Sequence, residues 1–363
     1  MKNTFLTLFL LFLFASTSFA QNNTNYTLEL IISSLNKPWS FVFISKNKIL
    51  INQKNGEMLL VDLKTKKRKN IKHNLQIDSR GQGGLLDLKK SPFFKKDSYL
   101  YLTYVQKNTS FLSLARAKYK ENSPLIFHDI FISTTKSNTN RHFGSRIAFD
   151  ENNHIFISLG DRGERKNAQN LLNHAGSIIR LNLDGSIPSD NPFVNNKNVL
   201  DEIYSYGHRN PQGLFYDKKR KLLFSNEHGP RGGDEINIIK KAKNYGWPLV
   251  SYGKEYYSLS FVGETRRKKG MEDAIKVYIP SIAPSSLLLY SGKIYKEWKN
   301  NLFSSALVLK HINRIVLNKE MKVLQEERLF LELNERIRAL VEDEKGYIYF
   351  SSDQGNIYKI IEK

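Results

Sequence analysis

The chain is 363 residues long, carries 56 Lys and Arg against 35 Asp and Glu for a formal charge of +21, and contains no cysteine. Disulfide stapling and anchoring through a lipidated cysteine are therefore excluded, and stability must come from a packed core. The basic runs KTKKRK (64–69) and RRKKG (266–270) are short and scattered between apolar segments, the pattern of solvated loops, and no nucleic-acid-binding motif accompanies them.

In chain order, residues 1–20 (MKNTFLTLFLLFLFASTSFA) come first and predict a secretory signal cleaved after Ala20. The apolar run from Phe5 to Phe14 is too short to span a bilayer, and no later segment approaches ~20 consecutive apolar residues, so no membrane span is expected. The mature chain, 21–363, is expected to be one domain, periplasmic or secreted.

Six segments then share one pattern of apolar strand, polar turn and second apolar strand: FVFISKNKILI (41–51), LKKSPFFKKDSYLYLTYV (88–105), RIAFDENNHIFISLGD (146–161), GLFYDKKRKLLFSNE (213–227), LLLYSGKIYKEWKNNLFSSAL (287–307) and ALVEDEKGYIYFSSD (339–353). Period-2 alternation and β-branched or aromatic enrichment read as hairpins. Their starts, separated by roughly 45 to 75 residues, suit one four-stranded blade each and predict an all-β, six-bladed β-propeller. A Greek-key sandwich is the alternative, but its strands would follow one another more closely. The one stretch that could carry a helical apolar face is Lys319 to Leu333. In a propeller the loops gather at the ends of a central channel, where a ligand site would form.

Four constellations could carry chemistry. In NRHFGSRIAFD (140–150) His142 precedes a Gly-Ser turn, and Asp161 closes the hairpin that follows; a buried carboxylate there would fix the imidazole tautomer. YSYGHRNPQG (204–213) places Arg209 and Asn210 on a loop suited to clamping anions or carbonyls. NEHGPRGGDEIN (226–237) combines bent backbone with carboxylates, so Gly229, Pro230, Asp234 and Glu235 are candidate oxygen donors to Ca²⁺, although the spacing is not that of an EF-hand and, from this stretch alone, a tight loop whose acids face water is the favoured reading. Arg336 and Arg338 in NERIRAL (334–340) share one face of a strand, which is tolerated on a wet surface or where an anion neutralises both; Lys310 joins them if its blade is adjacent.

Taken together and in order, LNKPWSFVF (35–43), GQGGLLDL (81–88), HFGSRIAFD, ISLGDRG, YSYGHRNPQGL, NEHGPRGGDEIN, NYGWP (244–248), PSIAPSSL (280–287) and ERIR (335–338) resemble the soluble PQQ-dependent aldose sugar dehydrogenases of the glucose/sorbosone dehydrogenase family. The resemblance spans nearly the whole mature chain. It implies a propeller holding pyrroloquinoline quinone (PQQ) and Ca²⁺ at the top of its channel, with an aldose oxidised at C1 and electrons passed to a cytochrome or quinone. By resemblance His142 is the general base and Asp161 its orienting carboxylate; Gln82 and Tyr256 meet substrate; Arg209 and Asn210 lie over the quinone oxygens; Lys310, Arg336 and Arg338 hold its carboxylates. Gly229 and Pro230 then donate carbonyls to the catalytic calcium with Asp234 nearby, and Glu235 with the Tyr245 carbonyl bind a further structural calcium. Three positions depart from the family pattern. Ala339 stands where relatives carry Asp, Ile279 where some carry an aromatic residue that Tyr278 would have to replace, and His228 has no assigned role. Two other functions remain open on the residues: a Ca²⁺-dependent propeller lactonase, and a basic propeller binding an extracellular polyanion.

Overall fold

The computed structural model describes residues 25–135 and 137–363; the expected signal segment lies outside them. Among the described residues, twenty-four strands form six four-stranded antiparallel sheets. The described residues start with β1 (Tyr26–Ile32). Blade 1 follows as β2 (Pro38–Ser45), β3 (Lys48–Gln53), β4 (Met58–Asp62) and β5 (Arg68–Asn70), and blade 2 as β6 (Leu85–Lys90), β7 (Tyr99–Val105), β8 (Leu112–Lys118) and β9 (His128–Ile132). Blade 3 contains β10 (Ile147–Phe149), β11 (Ile155–Ser158), β12 (Ser177–Leu181) and β13 (Ile203–Tyr206), and blade 4 contains β14 (Pro211–Asp217), β15 (Leu222–Glu227), β16 (Asp234–Ile239) and β17 (Lys276–Tyr278). Blade 5 is β18 (Pro284–Leu289), β19 (Leu302–Ala306), β20 (Ile312–Leu317) and β21 (Val323–Leu329); blade 6 is β22 (Ile337–Glu342), β23 (Ile348–Ser352) and β24 (Ile357–Glu362). β1 completes blade 6 by pairing with β24, Tyr26 opposite Glu362, so the first and last described strands close the ring.

The first strands contact one another in a closed circle, β2 to β6, β10, β14, β18, β22 and back to β2, which is the expected six-bladed propeller. All six predicted hairpins are the two innermost strands of a blade. The stretch from Lys319 to Leu333 holds strand β21, not a helix, followed by a single turn at Leu331–Leu333. Alternation along each inner strand divides its side chains between two neighbouring interfaces. On β18, Leu287 and Leu289 pack toward blade 4 while Leu288 packs toward blade 6; on β11, Phe156 faces blade 4 while Ile155 and Ile157 face blade 2. Each interface has its own apolar cluster, so both faces of every blade are buried.

Polar groups join the blades nearer the axis. The first strands β2, β6, β14, β18 and β22 each carry a register shift, and such bulges free backbone groups that must be satisfied elsewhere. The second strand of the preceding blade supplies donors. Asn52 reaches the Leu86 carbonyl at 3.2 Å, Thr103 the Ser145 carbonyl at 2.7 Å, Ser158 the Pro211 carbonyl at 3.0 Å, Asn226 the Ser286 carbonyl at 3.2 Å and Ser351 the Pro38 carbonyl at 2.8 Å.

Arg146 sits at the centre of this arrangement, 4% exposed, and touches every other blade. Its guanidinium pairs with Asp87 of blade 2 at 3.2 Å and donates to the Gln212 carbonyl of blade 4 at 2.7 Å and the Arg338 carbonyl of blade 6 at 3.0 Å. It also reaches Ser285 of blade 5 at 3.4 Å and lies over the Trp39 ring of blade 1, 3.9 Å from its centroid. Burial lowers its pKa to about 10, with Asp87 opposing the shift. A planar, permanently charged fork with five donors is suited to such a shared hub.

Candidate active site

A cavity of about 590 Å³ opens at the end of the channel where loops enter the first strands and leave the second ones. That is ample for a cofactor with a small substrate. Its wall contains five cationic side chains, Lys37, Lys54, Arg231, Arg336 and Arg338, against one carboxylate, Asp353. Asp353 is itself neutralised: Arg338 binds it through both Nε and Nη2, at 2.8 and 2.7 Å, and Arg336 Nε reaches it at 3.2 Å. Burial raises its pKa, but the two arginines outweigh that and leave it below the usual range. Lys54 is shifted downward by burial and by the charges of Lys37 and Arg338. The cavity is thus a place where added negative charge is favoured and added positive charge is not.

His142 stands at one side of this cavity, in the loop before β10. Its backbone adopts φ of 56°, a left-handed conformation unfavourable for a side chain with a Cβ. Two contacts hold it there. The His142 N–H donates to Gln82 Oε1 at 2.7 Å, and its carbonyl lies so near Gly160 that a Cβ on that glycine would sit 2.3 Å from the oxygen. The ring Nδ1 is 2.6 Å from Asp161 Oδ1. An ionised carboxylate only accepts, so the proton is on Nδ1 and Nε2 carries the free lone pair. Asp161 is held in turn: Gly163 N–H donates to Oδ1 and Trp247 Nε1–H to Oδ2, both at 2.8 Å. Burial lowers the His142 pKa more than Asp161 raises it, so the imidazole is neutral near pH 7. Burial pushes Asp161 up, yet His142 and Gly163 outweigh it and keep the carboxylate ionised.

Arg209 lies opposite. Its Nη1 donates to the His228 and Gly229 carbonyls, each at 3.0 Å, and its Nη2 to the Tyr256 hydroxyl at 3.3 Å, while its guanidinium is 5.3 Å from the centroid of the Trp247 ring. Trp247 therefore joins Asp161 to Arg209. Asn210 Oδ1 accepts from Gly144 N–H at 3.2 Å and from Gln212 at 3.3 Å, fixing the turn below His142. His228 donates from Nε2 to the Pro284 carbonyl at 2.7 Å, and burial, with Arg209 next, lowers its pKa to about 3. It is a neutral wall residue.

Of the anticipated residues, Gln82, Asn210, Gly229, Pro230, Tyr256, Arg336 and Arg338 line the cavity. His142 and Arg209 are not among its lining residues; they stand directly behind, bonded to Gln82 and Tyr256. Lys310 does not line it either: its Nζ donates to Asn334 Oδ1 at 3.0 Å, on the loop that leads to Arg336. Asp234 is fully engaged, accepting from Gly229 N–H through Oδ1 and from Ser281 Oγ and the Ile282 and Ala283 N–H groups through Oδ2. Burial pushes it up to about 6, and its role is to fold the 229–234 turn against the 281–283 turn. Ala339 is buried in the core between blades 6 and 1, and Asp353 supplies the acid that Arg338 needs. Tyr278 is buried between blades 4 and 5 and cannot cover the site, while Ile279 is 65% exposed.

Beside the main cavity, Glu227, Glu235 and Tyr245 border a space of about 10 Å³, room for one ion or water. Glu227 accepts from His208 Nδ1 at 3.0 Å and from Arg209 N–H at 2.7 Å. Glu235 is pushed up to about 8 by burial and by the charge of Glu227, the signature of two carboxylates that need a shared cation or a proton. The residues thus fit both groups implied by sequence: an anionic cofactor in the basic cavity and a hard cation against clustered oxygens.

A sequence model described as Glucose / Sorbosone dehydrogenase matches residues 35–359. The chain belongs to the glucose/sorbosone dehydrogenase family. Within that family it is 32% identical to aldose sugar dehydrogenase YliI of Escherichia coli, covering 92% of each chain, and 26% identical to quinoprotein glucose dehydrogenase B of Acinetobacter calcoaceticus, covering 92% of this chain and 87% of that protein. The apo-form crystal structure of the soluble E. coli aldose sugar dehydrogenase superposes with a TM-score of 0.89 at 32% identity, over 93% of this chain and 100% of that one.

Reading of the sequence missed Trp247, Glu227, Asp353 and the Arg146–Asp87 pair. Asp87 within LLDL and Arg146 before IAF are opposite charges placed in otherwise apolar runs, a signal that could have suggested a buried pair.

Proposed function

We propose that the protein oxidises the C1 hydroxyl of an aldose to the lactone, with PQQ as hydride acceptor and Ca²⁺ beside it, in the periplasm or outside the cell. The observation that carries this reading is His142, neutral and locked by Asp161 with Nε2 available, set beside a cavity whose charge is five to one in favour of cations. When bound, PQQ supplies the two-electron acceptor and Ca²⁺ the Lewis acid that polarises it.

The protein's own part follows. His142 Nε2 takes the proton of the C1 hydroxyl as hydride leaves C1, and Asp161 stabilises the imidazolium that forms. Gln82 and Tyr256 hold the sugar, and the carbonyl oxygen of Gln82 also fixes the His142 backbone. Arg336 and Arg338, with Lys310 beside the loop that leads to Arg336, would hold cofactor carboxylates through charge-assisted bonds. Arg209 and Asn210 would meet the quinone oxygens, where Arg209 would stabilise negative charge. Gly229 and Pro230 would offer carbonyls to the catalytic ion, near Asp234, and Glu235 with the Tyr245 carbonyl would hold the second. A lactonase would need several carboxylates converging on one ion in the channel, and among the described residues no group of three or more metal-ligating His, Cys, Asp or Glu side chains occurs.

The reading is tested by a dye-reduction assay on purified protein given an aldose with PQQ alone, Ca²⁺ alone, or both. Turnover that requires both is expected. Lactone hydrolysis without PQQ, or absence of dye reduction with both present, would overturn it.

A further inference from the structure

The segment between β16 and β17 of blade 4 folds into a hairpin over residues 253–262, closed by Val262 N–H to the Gly253 carbonyl at 3.0 Å and Glu255 N–H to the Ser260 carbonyl at 2.9 Å. It is tied firmly to the rim of the cavity. Arg231 donates to the Glu255 and Ser258 carbonyls at 3.3 and 3.2 Å, Arg165 binds Glu255 through two bonds of 2.7 Å, and Arg209 reaches Tyr256. Yet its tip is strongly apolar and faces outward: Tyr257 is 103% exposed and Leu259 79%. Ile279 and Val308 are exposed as well, and Tyr256, next to Tyr257, lines the cavity together with Val308, so the hairpin forms part of the outer lip of the proposed reaction chamber.

Basic residues accompany that lip. Residues 251–273 carry Lys254, Arg266, Arg267, Lys268 and Lys269 against Glu255, Glu264, Glu272 and Asp273; all four acids are already paired, with Arg165, Lys268, Lys240 and Arg267, so Lys254, Arg266 and Lys269 keep their charge without a carboxylate partner among the described residues. Lys254 and Arg266 flank the Phe261 ring at 5.3 and 5.1 Å. Exposed apolar residues beside cations that no carboxylate neutralises, on a chain of net charge +21, form a surface for an oppositely charged macromolecule. Its position at the mouth of a redox cavity selects the kind.

We propose that this lip docks an acidic electron-transfer protein whose exposed redox edge is ringed by Asp and Glu. The proposal rests on the dehydrogenase reading above. Each aldose oxidised to lactone yields two electrons and two protons; the electrons leave one at a time to two carrier molecules, and the protons go to solvent. Electrostatic steering brings the carrier in, and Tyr257 and Leu259 give the transient complex its apolar contact.

The test uses full-length protein loaded with PQQ and Ca²⁺, reduced by aldose, and reoxidised by an acidic c-type cytochrome, a basic one, or a small dye. Wild type is expected to reduce the acidic cytochrome faster, with a rate that falls steeply as NaCl is raised. The pairs Tyr257→Ser with Leu259→Ser, and Lys254→Glu with Arg266→Glu, are expected to lose about tenfold or more of that rate while dye reduction stays within about twofold. Unchanged cytochrome rates in both pairs, preference for the basic cytochrome, or a parallel loss of dye reduction would overturn the proposal. So would variants that lose only binding to phosphatidylglycerol vesicles, which would assign the lip to a membrane. Wild type inactive toward the dye itself would instead remove the dehydrogenase reading beneath it.

Discussion

Asp161→Asn is the most informative single change. Asp161 accepts three bonds, from His142 Nδ1–H, Gly163 N–H and Trp247 Nε1–H. An amide has one oxygen and one NH₂, so it cannot accept all three. If its oxygen stays on His142, the NH₂ faces the Trp247 N–H, donor against donor. If it flips, the NH₂ donates to His142 Nδ1, the proton moves to Nε2, and the nitrogen that must take the substrate proton is blocked. In either orientation the charge that stabilises the imidazolium is gone. A charge-assisted bond of about 1.5 to 3 kcal/mol with the tautomer penalty amounts to about 3 to 5 kcal/mol, or a 10²- to 10⁴-fold fall in kcat. Dye reduction at saturating aldose reads kcat, while KM and PQQ affinity should stay within about threefold because Asp161 does not line the cavity. The sign with pH is also fixed. His142 acts as a base only when deprotonated, and its folded pKa is below 6.5, so activity is lost as pH falls through that lower value. Asp161 raises that pKa, so in Asp161→Asn the acid limb moves to still lower pH. A variant with kcat within about threefold of wild type, or an acid limb displaced upward, would refute the assignment of His142 as base.

Arg146→Met leaves Asp87 buried and unpaired, and removing one partner of such a pair costs about 3 to 5 kcal/mol; a fall in Tm of several degrees is expected, partly recovered in Arg146→Met with Asp87→Asn. Arg338→Leu removes a charge-assisted partner for an anion and leaves Asp353 paired only with Arg336, so PQQ affinity measured by titration should weaken about 10- to 100-fold. Chelation should lower the Tm of wild type, and Glu235→Gln should reduce that response to the part contributed by the catalytic ion while raising the stability of the metal-free protein, because Glu227 then no longer faces a second ionisable carboxyl. An unchanged chelator response in Glu235→Gln would show that the second ion is not held there.

The inner half of each blade was legible because its strands are buried on both faces and joined by short polar turns, giving long apolar runs such as LLLY and IFIS. The outer strands gave weaker signals. β5 is exposed along its whole length and β17 has three residues, so neither carries a pattern. β21 was misread because an outermost strand bearing Gln325, Glu326 and Glu327 lacks a clean period of two. The same asymmetry holds in the site. His142 and Arg209 stand beside glycine-containing turns, and Arg336 and Arg338 lie two residues apart at the start of one strand, local signals that draw attention to them, whereas the contacts of Asp353, Trp247 and Arg146 depend on which blades meet at the axis. Arg146 joins residues 39, 87, 212, 285 and 338, a set no local spacing could assemble.

The central proposed event is proton removal by His142 from a sugar held against an anionic quinone in the basic cavity. The direct measurement is the absorbance of bound PQQ, followed by stopped flow after aldose is mixed with wild type and with His142→Gln. Both proteins should bind PQQ saturably with similar affinity, and reduction of the bound quinone in the variant should be about 10² to 10⁴ times slower. Failure of wild type to bind PQQ, or reduction at equal rates in the two proteins, would contradict it.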